Sequence, residues 1–154
     1  MPGVEVKGLD EIDRMLNDLL KEFPEERRKL HEEIGKEAFE IVQDQIAATS
    51  NSKSKKSGTV RGMQVLVVGS GGGYVAVKPQ KGSGADSPGA ITMYNENGHR
   101  IRRSKGTSKR YRPRINTAFV NGRHFYQKSE SLVEAAAIRK AEEFADELAK
   151  KIGG

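Results

Sequence analysis

The chain has 154 residues, 35% of them apolar, with four Tyr and five Phe, no Cys and a formal net charge of +6. That length gives one domain with a modest core; the lean aromatic content points to an elongated or assembly-dependent protein, and the lack of cysteine excludes disulfides, thiolate metal sites and cysteine nucleophiles. The longest apolar run, Val65–Val68, is far too short to span a bilayer, and "MPGVEVKG" lacks the pattern of a signal peptide, so a soluble cytoplasmic protein with no membrane partner is expected.

In chain order, a short strand-like lead, Val4–Lys7, precedes a helix whose apolar face is Leu9, Ile12, Leu16, Leu19, Leu20 and Phe23. Pro24 interrupts it, and Glu25 and Glu26 open a second helix reaching about Ala48. The stripe of that second helix is Leu30, Ile34, Ala38, Ile41, Val42 and Ile46, and its charged context predicts a solvated His31. "TSNSKSKKSG" reads as a loop. "GMQVLVVG" and "YVAVKPQ" flank "SGGG" as a β-hairpin. "KGSGADSPG" reads as another loop, "AITMYNEN" as a third strand, and Ile115–Asn121 as a fourth short one. A last helix runs from Ser129 to about Ile152, with Ser129 or Ser131 as N-cap and Glu134 reaching back to Ser131. Its inner face is Leu132, Ala136, Ala141, Phe144, Ala145, Leu148 and Ile152, and Gly153 ends it. The expected fold is α+β: two N-terminal helices and a C-terminal helix packed on a small antiparallel β-sheet. The whole chain, 1–154, forms a single domain with mobile loops at about 49–62, 80–90 and 99–117.

Charge is segregated along the chain. Residues 1–49 carry −6, residues 50–128 carry +14 and residues 129–154 carry −2. A basic middle between acidic ends suits a polyanion and equally suits head-to-tail contact between copies. The densest part holds Arg100, Arg102, Arg103, Lys105, Lys109, Arg110, Arg112 and Arg114 with no acid among them. Three readings stay open for it: contact with DNA backbone, with Tyr111 available for stacking; an arm that orders on an acidic partner; and an inert loop, the least favoured.

Candidates for chemistry are few. His99 and His124 each adjoin an arginine, in "GHR" and "GRH", as a nuclease would use them. Only Glu96 lies nearby as a carboxylate, so a metal site is poorly supplied, and the alternative is that both histidines fix the stem of the basic loop. "GSGGGYVAV" lacks the lysine and hydroxyl of a phosphate cradle, and a strand follows it. Neither catalytic residues, nor a cofactor, nor a metal is expected.

"VEVKGLDEIDRMLNDL", a long second helix, "SGTVRG", a hairpin, "YNENGHRIRR" and then "FVNGRHFYQKS" before a terminal helix follow one another along nearly the whole chain. In that order they resemble the tail-completion proteins of long-tailed bacteriophages, also called head–tail joining or neck proteins and often labelled minor capsid or tail component. The most specific piece is the pair "NGHR" and "VNGRHF", which marks Gly98, His99, Gly122, Arg123, His124 and Phe125 as structural positions. Relatives often carry a proline-bearing stretch before the position of Arg61, of which Gly58 to Arg61 keep only the end, and a shorter link between the paired motifs. The resemblance implies a non-enzymatic virion part of the neck or tail, assembled in the bacterial host cytoplasm. It implies as partners other copies of itself in a ring, a head connector or adaptor protein, a tail tube or tail terminator protein, and non-specific contact with genomic DNA.

Overall fold

β-branched runs on either side of "SGGG" give two strands of equal length, β2 (Gln64–Val68) and β3 (Val75–Pro79), paired antiparallel with Leu66 opposite Val77. β1 (Val4–Glu5) adds to the other edge of β3, so the sheet order is β1-β3-β2 and the Val4–Val77–Leu66 row crosses all three strands. The computed structural model describes residues 3–6, 14, 24–49, 59–69, 74–100 and 119–153. The first expected helix, apart from Arg14, the whole polar stretch 50–58 and the basic insert beyond Arg100 lie outside the described residues.

Helix α1 (Pro24–Thr49) begins at the proline, with Glu25 and Glu26 in its first turn where the helix dipole favours acids. Leu30, Ile34, Ala38, Val42 and Ile46 recur every fourth residue and are all buried. His31 is not the solvated residue its charged neighbours suggest; it is fully buried. The reason is phase: His31, Gly35, Ala38 and Val42 follow 4-3-4 spacing onto the same face. Gly35 lets the helix come close to the sheet, because a Cβ there would lie 2.9 Å from Leu66 Cδ1 and 3.2 Å from Val75 Cγ1.

"AITMYNEN" is not a strand. It lies within a helix, α2 (Pro88–Asn97), so the loop expected over 80–90 ends at Ser87. Ser87 is its N-cap, with Oγ accepting from Ala90 N at 3.2 Å, and Pro88 supplies a pre-set φ at the first position. Gly98, at φ +82, closes the other end, its N–H donating to Tyr94 O. These caps outweigh the β-branched and aromatic content of the segment, since strand propensity mostly reflects packing context.

A second, two-stranded ribbon pairs β4 (Gly98–Arg100) with β5 (Phe119–Asn121). Helix α3 (Phe125–Gly153) follows. It starts four residues before Ser129, so neither Ser129 nor Ser131 caps it and Glu134 forms no capping box. Ser129 is buried and donates its hydroxyl to Phe125 O at 2.7 Å inside the helix. Val133, Ala137, Ala141, Phe144 and Leu148 form the inner stripe. Leu132, one position out of phase with that stripe, is 47% exposed rather than internal. The side chain of Ile152 lies outside the described residues.

α1 and α3 run antiparallel. Glu37 pairs with Arg139 and lies 3.9 Å from Lys140, while Glu26 lies 3.7 Å from Lys151 further along both helices. The core is one cluster joining α1, α3, Val4, Val6 and the sheet valines, with Phe125 and Tyr126 at its far end edge to face. The architecture is α+β, with helices from both terminal regions packed on a small antiparallel sheet.

Candidate functional site

The paired motifs meet at the junction of α2, the ribbon and α3. In β4 and β5, Gly98 faces Asn121, His99 faces Val120 and Arg100 faces Phe119. The last turn of α2 leaves carbonyls without a partner inside the helix. The second motif supplies the donors: Arg123 N–H bonds Asn95 O at 2.8 Å, and His124 N–H bonds Glu96 O at 3.1 Å.

The start of α3 has the opposite need. Its N-cap is His124, whose carbonyl accepts from Lys128 N at 2.9 Å and whose φ of +54 turns the chain into the helix. An imidazole here does not serve as Ser or Asp would, and Glu96 of α2 takes that place. The Glu96 carboxylate accepts from Tyr126 N at 2.9 Å and from Gln127 N at 3.1 Å, the second and third helical N–H groups. Only 5% of Glu96 is exposed, and its charge sits at the positive end of the α3 dipole. Each helix end therefore satisfies the other's stray backbone groups.

Two glycines make the approach possible. A Cβ on Gly122 would overlap Glu96 O and fall 2.6 Å from the Asn97 carbonyl carbon. One on Gly98 would overlap Val120 O and fall 2.7 Å from Gly122 N. Gly98 and Gly122 are thus fixed by sterics, and Phe125 by full burial in the core.

Behind the clasp lies a buried polar chain. The Tyr126 hydroxyl donates to Gln64 Oε1 of β2, and Gln64 Nε2 donates to Thr92 Oγ1 of α2 at 3.2 Å and to Val60 O at 3.0 Å. Burial first, and then the Glu96 charge, push the Tyr126 phenol well above its usual range, against the opposing effect of the Gln64 bond. On the far side, the Thr59–Gly62 turn, which falls within a stretch expected to be a mobile loop, is held by a two-way pair. Gln43 Nε2 donates to Arg61 O and Arg61 Nε to Gln43 Oε1, both at 2.8 Å.

His99 and His124 are exposed at this junction. His99 stacks obliquely with Tyr94, ring centroids 5.5 Å apart. Arg100 is exposed in β4 opposite Phe119; Arg102, Arg103, Lys105, Lys109, Arg110, Arg112 and Arg114 lie outside the described residues. Among the described residues no group of three or more His, Asp or Glu side chains is arranged to hold a metal ion, and no helix is long and apolar enough to cross a membrane. Comparison with family models, curated proteins and solved structures yields no match.

In the sequence Glu96 stands out only as a lone carboxylate near two histidines. Its scarcity was the available signal: Asp86 and Glu96 are the only acids between residues 50 and 128. A solitary acid in so basic a stretch, buried beside a helix start, has a structural partner to meet.

Proposed function

We propose that the chain is a non-enzymatic structural protein of the head–tail junction of a long-tailed phage or a phage-derived particle. In this reading copies form a ring that joins the tail to the head connector and lets DNA pass. The observation that supports it is the clasp itself. The two motifs that carry the resemblance, around Gly98–His99 and Gly122–Phe125, form one hydrogen-bonded stem whose sterically required glycines, buried Phe125 and helix caps serve architecture. The paired ends of that stem, Arg100 and Phe119, bracket the basic segment, and a segment held at both ends suits a docking arm.

Changing Arg100, Arg102, Arg103, Arg110, Arg112 and Arg114 to Ser should leave free heads and free tails visible by electron microscopy. Normal yields of joined, infectious particles would refute the role of the arm.

A nucleic-acid-binding protein is the second reading, favoured by exposed Arg100 beside exposed Phe119. It requires tight binding by the isolated chain, with affinity falling by about one power of salt concentration per phosphate neutralised.

A further inference from the structure

The three-stranded sheet has two edges, and only one of them is guarded. β1 is two residues long, follows Pro2 and Gly3 and carries the charge of Glu5, features that keep a strand from pairing further. β2 reads Gln-Val-Leu-Val-Val, without charge, proline, glycine or bulge, in unbroken register with β3. Bonds just beyond that ladder fix its phase: Gln80 N–H donates to Met63 O at 2.8 Å and Gly69 N–H to Tyr74 O at 2.7 Å. Antiparallel alternation therefore turns the N–H and C=O of Val65 and Val67 toward β3, and those of Gln64, Leu66 and Val68 outward. Gln64 is buried, whereas Leu66 and Val68 are partly exposed, and among the described residues nothing bonds their outward groups.

Unmet donors and acceptors along an apolar strand call for another strand, and β2 of a second copy presents the same groups in reverse order. We infer that free chains pair edge to edge through β2, antiparallel, with Leu66 opposite Val68 of the other copy and Val67 on the two-fold axis. The flank above that edge is charged to match. α3 lies over β1, and α1 over β3 and β2, so the side of α1 turned from α3 overhangs the free edge. α1 runs antiparallel to β2, since Gly35 sits against Leu66 and Gln43 bonds Arg61. One strand residue spans about two helix residues along the axis, which puts Val67 level with about residue 33 of α1. A two-fold axis there brings Glu32 near Lys36 of the other copy, and Arg28 near Glu40. These four alternate basic and acidic at four-residue spacing, and Glu32 is the least exposed of them, with 46% of its side chain accessible. The contact is isologous and closes at two copies; it concerns the free chain and does not rest on the proposed function.

The chain has no cysteine, so engineered thiols report without background. In this pairing two copies of Val67 face each other about 4.5 Å apart at Cα, within disulfide range, whereas two copies of Val65 stand about 14 Å apart. V67C in the full chain should therefore give a disulfide-linked dimer under mild oxidation while V65C stays uncrosslinked, and melting curves matching the parent confirm that both fold. The parent should show twice the monomer mass by light scattering, and V67K, which sets like charges directly opposite, should show the monomer mass. E32K should weaken association about tenfold. Adding K36E to it should restore association, because the exchanged stripe is again self-complementary; a merely structural role for Glu32 predicts no such recovery. A monomeric parent at concentrations up to about 1 mM, equal cross-linking of V65C and V67C, or an E32K/K36E chain no better than E32K would overturn the pairing. The head–tail reading fails separately, because the six-arginine variant tests it in particles and these variants test purified protein.

Discussion

Glu96 is the side chain on which the junction turns. Its carboxylate replaces the Ser or Asp cap that α3 lacks, and its backbone carbonyl anchors His124. Glu96→Ala leaves two N–H groups of the first α3 turn, one of them buried, without acceptors and should lower stability by about 2 kcal/mol. Glu96→Gln, which keeps one acceptor, should lose less. Urea denaturation measures both, and an Ala variant as stable as the parent would remove the cap from the account. Gly98→Ala and Gly122→Ala should each cost about 2 kcal/mol or more, because backbone atoms rather than flexible side chains stand in the way. Gly89→Ala, where a Cβ meets nothing within 4 Å, is the control and should be neutral or slightly stabilising. Tyr126 sets a pH dependence. Its folded pKa lies above the unfolded phenol value near 10, so the folded state holds the proton more tightly. The associated stability is complete below pH 10 and declines as pH rises above it, where the unfolded chain loses the proton first. Tyr126→Phe should weaken the protein at neutral pH by leaving Gln64 short of a donor, and should flatten the alkaline decline in a stability–pH curve.

At the level of elements, what the sequence made legible was periodicity. α1 showed its fourfold stripe from Leu30 to Ile46, and the β2–β3 hairpin showed itself by valines around glycines. What it hid were boundaries set by contacts distant in the chain. α3 starts at Phe125 because Glu96, about thirty residues earlier, caps it; no local signal at 121–125 announces a helix start, and the serines at 129 and 131 offered a false one. α2 was hidden differently. Its caps, Ser87, Pro88 and Gly98, stood in the sequence as ordinary punctuation, yet Ile91, Thr92, Met93 and Tyr94 spoke for a strand. Ser87→Ala should therefore cost about 1 kcal/mol, checked by thermal melting. If the loss is nil, tertiary packing of Thr92 and Glu96 rather than the cap holds α2. Leu132 and His31 were hidden for different reasons: one position on a helix turns a side chain by about 100°, which exchanges core and solvent at Leu132, whereas the charged neighbours of His31 masked its place on the buried face of α1.

Over the whole molecule, the charge segregation read from the sequence takes on a spatial form. Acidic positions concentrate on α1 and along α3, and ion pairs between those helices use Glu26 and Glu37 against Lys151, Lys140 and Arg139. Surface pairs of this kind contribute less than about 1 kcal/mol each, so stability should change little with salt. Urea denaturation at low and high salt measures this. A marked loss of stability at high salt would mean that the charges serve the fold instead.

The ladder between β4 and β5 has one more consequence. Arg100 and Phe119 face each other across it, roughly 5 Å apart at Cα, so the eighteen residues between them leave and return at one spot. The entropy of closing such a loop grows only with the logarithm of its length. Replacing residues 101–118 with a four-residue Gly/Ser link should thus change stability by only about 1 kcal/mol, although it deletes seven of the arginines and lysines. The domain treats that spot as an insertion port, able to host segments of different length and charge without retuning its core.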